Sequence, residues 1–117
     1  MSNQISVLSL AFAASLLLAG AVQAAGMLTD QNGMTLYVFD KDTKAVSNCY
    51  DACAAKWPAY AAKKDDKVEK DWSMVTRKDG TLQWAYDDKP LYFFADDKAK
   101  GDKKGDGLMG IWHIVAE

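Results

Sequence analysis

One histidine, two cysteines and two prolines are all that the 117 residues hold of these types. With a single imidazole, no evident serine or cysteine nucleophile beside it, and no glycine-rich phosphate cradle after a strand, no catalytic arrangement is visible. Carboxylates are abundant, but in a chain rich in Lys and Asp abundance does not mark acid–base work. An excess of one charge is lacking too: 14 basic residues face 16 acidic ones, a formal net charge of −2. No basic field exists to hold nucleic acid or an anionic membrane. The cysteine spacing also excludes c-type haem, which needs Cys-x-x-Cys-His.

Charge is absent from Ile5 to Val22, where almost every residue is apolar or small. Such a run at the N-terminus, ending Val22-Gln23-Ala24, reads as a signal peptide over residues 1–24, cleaved after Ala24. An uncleaved anchor is the alternative. Leu18-Ala19-Gly20 resembles the start of a lipoprotein box, but Ala21 stands where the lipid-bearing cysteine would be. The expected mature chain, residues 25–117, is thus a single secreted or periplasmic domain, monomeric, without a lipid anchor or membrane span. Its partner would be an envelope ligand or protein that the sequence does not name.

What is present is a repeat. Shifted by 55 residues, Leu36 meets Leu91, Tyr37 meets Tyr92, Phe39 meets Phe94, Asp42 meets Asp97, Asp51 meets Asp106 and Trp57 meets Trp112. Unit one covers about residues 27–60 and unit two about 72–117, joined by the mixed-charge linker AAKKDDKVEKD at 61–71. Asn32-Gly33 and Lys78-Asp79-Gly80 signal hairpins. A longer turn, Asp87 to Pro90, is expected between TLQWAY and LYFF. IWHIV (111–115) reads as a closing strand. One short helix is expected over 48–56, N-capped by Ser47 and stopped by Pro58. The fold class is mainly β, a small α+β domain: two imperfect strand-turn-strand-loop repeats sharing one core.

GMTLYVFDKDTKAVSNCYDACAAKWPAY and DGTLQWAYDDKPLYFFADDKAKGDKKGDGLMGIWHIV resemble the secreted-repeat lipoproteins with a Tyr-x-(Phe/Trp/Tyr)-x-x-Asp motif. The motif stands here at Tyr37, Phe39 and Asp42 and again at Tyr92, Phe94 and Asp97, and Cys-x-x-x-Cys before Trp-Pro and a closing Gly-x-Trp-His also match. The resemblance implies a bacterial cell-envelope protein and supplies no activity. Ala21 departs from the members that are lipoproteins.

Cys49 and Cys53, four apart on a helix, can reach each other as a disulfide. In an oxidising compartment that is the leading reading, and closing so short a loop stabilises by about 2 kcal/mol. Two alternatives stay open: a thiol-redox pair, and a Cu(I) site in which Cys49 and Cys53 are joined by His113 and Met109. No other cofactor is expected. The motif aromatics read first as core, and Asp42 and Asp97 as turn caps. A groove lined by Trp57, Trp84 and Trp112, stacking a flat or glycan ligand, is the functional alternative. The leading function is a non-enzymatic binding or interaction module; the second is a periplasmic copper or thiol-redox protein.

Overall fold

The computed structural model describes residues 26–116. The expected signal peptide and Ala21 lie outside the described residues. In chain order the elements are β1 (Tyr37–Phe39), α1 (Ala52–Lys56), β2 (Ala61–Ala62), β3 (Trp72–Thr76), β4 (Leu82–Tyr86), β5 (Lys89–Pro90), a 3-10 turn (Leu108–Gly110) and β6 (Trp112–Ile114). All ladders are antiparallel. β4 is flanked by β3 on one side and by β2 and β5 on the other, while β1 pairs with β6.

The turns follow local chemistry. Asp30 Oδ1 accepts the N–H groups of Asn32 and Met34, and Gly33 takes φ 84°. Asp79 Oδ1 does the same for Thr81, with Gly80 at φ 88°, and this sets the β3–β4 register from Trp72↔Tyr86 to Thr76↔Leu82. The turn after β4 is shorter than the sequence suggests. Tyr86 pairs with Lys89, so only Asp87 and Asp88 lie in the loop, at φ 52° and 63°. Positive φ at both central residues suits the twist of a two-residue hairpin, and Asp tolerates it better than most side chains.

The helix is also shorter than expected and starts later. It holds five residues, and Asp51 precedes it at φ 55° without a side-chain cap. Ser47 does not cap it. Its hydroxyl lies 2.6 Å from Tyr92 Oη and accepts from Arg77 Nη1, while the Cys49 carbonyl accepts from Arg77 Nη2. These long-range bonds hold 47–50 out of the helix, and tertiary contacts override local propensity.

The repeat units interlock. The two central strands meet at Tyr37 and Tyr92, which exchange both backbone hydrogen bonds (2.8 and 3.0 Å). Each unit then pairs with the end of the other. Residues 37–39 of unit one pair with β6 of unit two. Correspondingly, Tyr92 bridges Ala59, Phe93 N–H donates to the Pro58 carbonyl, and Ala95 N–H to that of Lys56. The equivalent bond in the other half runs from Asp40 N–H to the Ile111 carbonyl. Within its own unit each central strand is held only at its start, Leu36 N–H to the Leu28 carbonyl and Leu91 N–H to that of Trp84; the other unit supplies the rest.

Alternation along Leu36–Phe39 and Leu91–Phe94 divides the interior into two clusters. One gathers Tyr37, Cys49, Trp57, Tyr92, Phe94 and Trp112 from both units, so the core is shared. The other has three buried leucines, Leu28, Leu36 and Leu91, ringed by half-buried side chains that include Tyr60, Trp72, Trp84 and Phe93. In unit two the segment matching the helix is a loop. Gly105 in it lies against the Trp57 ring so closely that a Cβ would come within 2.5 Å of the indole.

Candidate functional site

The motif residues close the interlock. Tyr37 Oη donates to Asp97 Oδ2 (2.7 Å), and Tyr92 Oη donates to Asp42 Oδ2 (2.8 Å). The second oxygen of each carboxylate accepts a backbone N–H from its own unit, Lys104 for Asp97 and Asn48 for Asp42. Each aspartate therefore caps its own loop, as its turn position suggests, and also receives the other unit's tyrosine. The rings cross over in the same way. Trp57 and Trp112 stack face to face at 3.8 Å; Phe39 stacks on Trp112 (4.1 Å) and Phe94 on Trp57 (4.3 Å). The result is a continuous stack, Phe39–Trp112–Trp57–Phe94.

Burial pushes both tyrosine hydroxyls far above their ordinary range, and the neighbouring carboxylates add to this. Burial also raises the Asp42 carboxyl, against the hydrogen bonds from Tyr92 and Asn48 and the charge of Arg77. These groups are held for structure, with their polar atoms occupied by one another.

Cys49 and Cys53 are joined as a disulfide, with Cα atoms 5.3 Å apart. Cys49 is buried beneath Arg77, whose guanidinium also donates to Ser47 and to Gln83 Oε1 (2.7 Å) and lies 4.3 Å from the Tyr50 ring centroid. The remaining members of the copper set are engaged or placed elsewhere. His113 Nε2 is 2.8 Å from Asp40 Oδ2, with its side chain 42% exposed, and Met109 is 81% exposed in the 3-10 turn. Among the described residues no group of three or more His, Cys, Asp and Glu side chains is disposed to hold a metal ion.

A groove of Trp57, Trp84 and Trp112 does not form. Trp57 and Trp112 are buried in the stack, whereas Trp84 belongs to the second cluster. The register explains this and shows where aromatic surface is available. Trp72, Met74, Leu82, Trp84 and Tyr86 lie on one face of β3–β4, and none is fully buried. The opposite face carries Val75, Arg77, Gln83 and Ala85, all buried. Arg77 and Gln83 can be buried because their hydrogen bonds reach Ser47, the Cys49 carbonyl and the Leu91 carbonyl. The more polar face is thus turned inward and the aromatic face is left half open.

Trp72 and Trp84 meet edge to face at 5.7 Å, and Tyr60 lies 6.4 Å from Trp84. Two clefts open here. One of about 370 Å³ lies between Gln31, Tyr60, Lys63, Asp66 and Trp84. The other, about 170 Å³, lies between Tyr60, Lys67, Glu69, Trp72 and Trp84. Sequence reasoning missed two functional candidates, Tyr60 and Trp72, and a structural anchor, Arg77. For Arg77 a signal existed: it is the only arginine among the 14 basic residues. A buried cation that must bind several acceptors in a plane calls for a guanidinium rather than an ammonium.

A family described as a secreted repeat of unknown function matches the chain twice, over residues 21–61 and 73–116. The chain belongs to this family. No curated protein and no solved structure matches it. The two secreted-repeat matches coincide with the units that exchange strands, tyrosines and ring stacks. Among the described residues no helix is long and apolar enough to cross a membrane.

Proposed function

We propose that this secreted-repeat protein is a non-enzymatic binding module that holds a saccharide of the cell envelope against Tyr60, Trp72 and Trp84. The observation that carries the reading is the inversion of the β3–β4 faces, in which an apolar aromatic face remains half exposed above a buried polar one. Exposed aromatic surface rimmed by polar groups is a mark of a binding site. Pyranose rings offer flat C–H faces to an indole, whose electron-rich face favours such contact. Gln31, Lys63, Asp66, Lys67 and Glu69 at the rim supply donors and acceptors for sugar hydroxyls.

The proposed setting is the periplasm or the exterior of a bacterium, reached with cleavage after Ala24 and without lipid at Ala21. Titration of the oxidised chain with a soluble N-acetylglucosamine oligomer, followed by tryptophan fluorescence, tests the reading. Wild type is expected to bind, and Trp84→Ala and Trp72→Ala to weaken binding at least about tenfold while still melting cooperatively. Wild type that ignores the oligomer, or a Trp84→Ala variant that binds it equally well, would end the proposal.

A further inference from the structure

The half-open face carries a connected band of rings rather than one platform. Trp84 and Tyr86 lie two residues apart on β4 and share that face, and Trp72 stands opposite Tyr86 on β3. Trp72 touches both, its ring centroid 5.7 Å from that of Trp84 and 5.4 Å from that of Tyr86, and Tyr60 extends the contact beyond Trp84. Clefts follow the band. Tyr60, Lys67 and Trp84 line both the cleft of about 370 Å³ and that of about 170 Å³, so the two adjoin across these residues. A third, of about 240 Å³, opens at the other end between Val38, Tyr86, Lys89 and Val115. No two neighbouring rings of the band are coplanar. Tyr60 is tilted by 45° to Trp84, Trp84 by 88° to Trp72, and Trp72 by 68° to Tyr86.

We propose that the ligand of this face is a single free glycan strand at least three residues long, laid across Tyr60, Trp84, Trp72 and Tyr86; this rests on the saccharide reading of the same face. The tilts decide the form of the ligand. A rigid, flat array of sugar chains holds its C–H faces in one plane and can rest on only one of these rings at a time. A single strand turns about each glycosidic bond, so its successive residues can each meet a ring of different tilt. The clefts decide its length. Sites that hold a whole drug-sized ligand measure roughly 300–1,000 Å³. Each of these three is near or below the low end of that range, so each suits one residue, and three in succession suit a chain. The loss of translational freedom is incurred once while every further residue adds contact. Tyr86 lines neither of the first two clefts, so it selects for length: a disaccharide seated at Tyr60 and Trp84 does not reach it.

Fluorescence titration of the oxidised chain with N-acetylglucosamine, its dimer and its tetramer tests this, alongside retention of the chain on crystalline chitin. The dissociation constant is expected to fall at least about tenfold from the monosaccharide to the tetramer. Whatever crystalline chitin retains should be released by free tetramer. Tyr86→Ala should weaken the tetramer at least about threefold and leave the dimer unchanged. A monosaccharide that binds as tightly as the tetramer overturns the strand and leaves the saccharide reading in place. Retention on crystalline chitin that free tetramer fails to displace overturns it as well, because a flat surface would then be the ligand. So does a Tyr86→Ala chain that loses affinity for dimer and tetramer alike, or for neither. If Tyr86→Ala does not melt cooperatively, the length series on wild type alone decides. Absence of binding at every length ends the saccharide reading and the strand together.

Discussion

The chain builds two aromatic clusters from nearly the same residue types and uses them in opposite ways. In the first, Tyr37, Trp57, Tyr92, Phe94 and Trp112 are buried, stacked ring on ring, with every tyrosine hydroxyl and facing carboxylate occupied. In the second, Tyr60, Trp72 and Trp84 surround only three buried leucines and remain half open. The difference lies in what covers each cluster. The first is enclosed by the disulfide-bearing segment on one side and the Gly105 loop on the other, while no comparable segment among the described residues closes the second. Aromatic content alone therefore does not distinguish a core from a binding face; the cover does.

Truncations should separate the two clusters most sharply. Trp57→Ala removes the centre of the stack and should cost about 3–5 kcal/mol in denaturant unfolding. Trp72→Ala, on the open face, should cost clearly less. Equal losses would erase the distinction. Next comes the tie between the clusters. Arg77→Met leaves the Ser47 hydroxyl, Gln83 Oε1 and the Cys49 carbonyl without their donor, and about 2–3 kcal/mol should be lost. A neutral result would mean that the inward polar face is not held by this arginine.

The smallest effect is a matter of pH. Tyr37 and Tyr92 are held protonated in the fold, whereas in the unfolded chain they ionise near pH 10. Above that pH the folded state holds more protons, so stability falls as pH rises. The prediction is a loss of stability that begins near pH 10, with these two phenols ionising only as the chain unfolds. A spectrophotometric titration in which all five tyrosines ionise before unfolding would contradict it.

Much of the architecture was legible in the chain. The shift of 55 residues, the hairpin signals at Gly33 and Gly80 and the closing strand all describe local geometry, and the structure contains each. The disulfide was legible because Cys49 and Cys53 lie within reach whether or not a full helix surrounds them. Two expectations failed for a common reason. From the sequence Ser47 reads as a helix cap, and Trp57, Trp84 and Trp112 as lining one groove in the alternative to core packing; neither reading could see long-range partners. Ser47 is engaged by Arg77 and Tyr92, far along the chain, and Trp84 packs in a different cluster from the other two.

By itself, the sequence determined the repeat, the turns, the cysteine link and the alternation of each strand into two faces, because these depend on residues within one turn or one strand of each other. Only the tertiary structure decided that each unit completes the other. A Tyr and an Asp in matching positions satisfy the same local pattern whether they bond within a unit or across two. It also decided which β3–β4 face is covered. A period of two defines the faces, but the inward one was chosen by where Ser47, the Cys49 carbonyl and the Leu91 carbonyl come to lie, since Arg77 and Gln83 can leave water only where those acceptors await them.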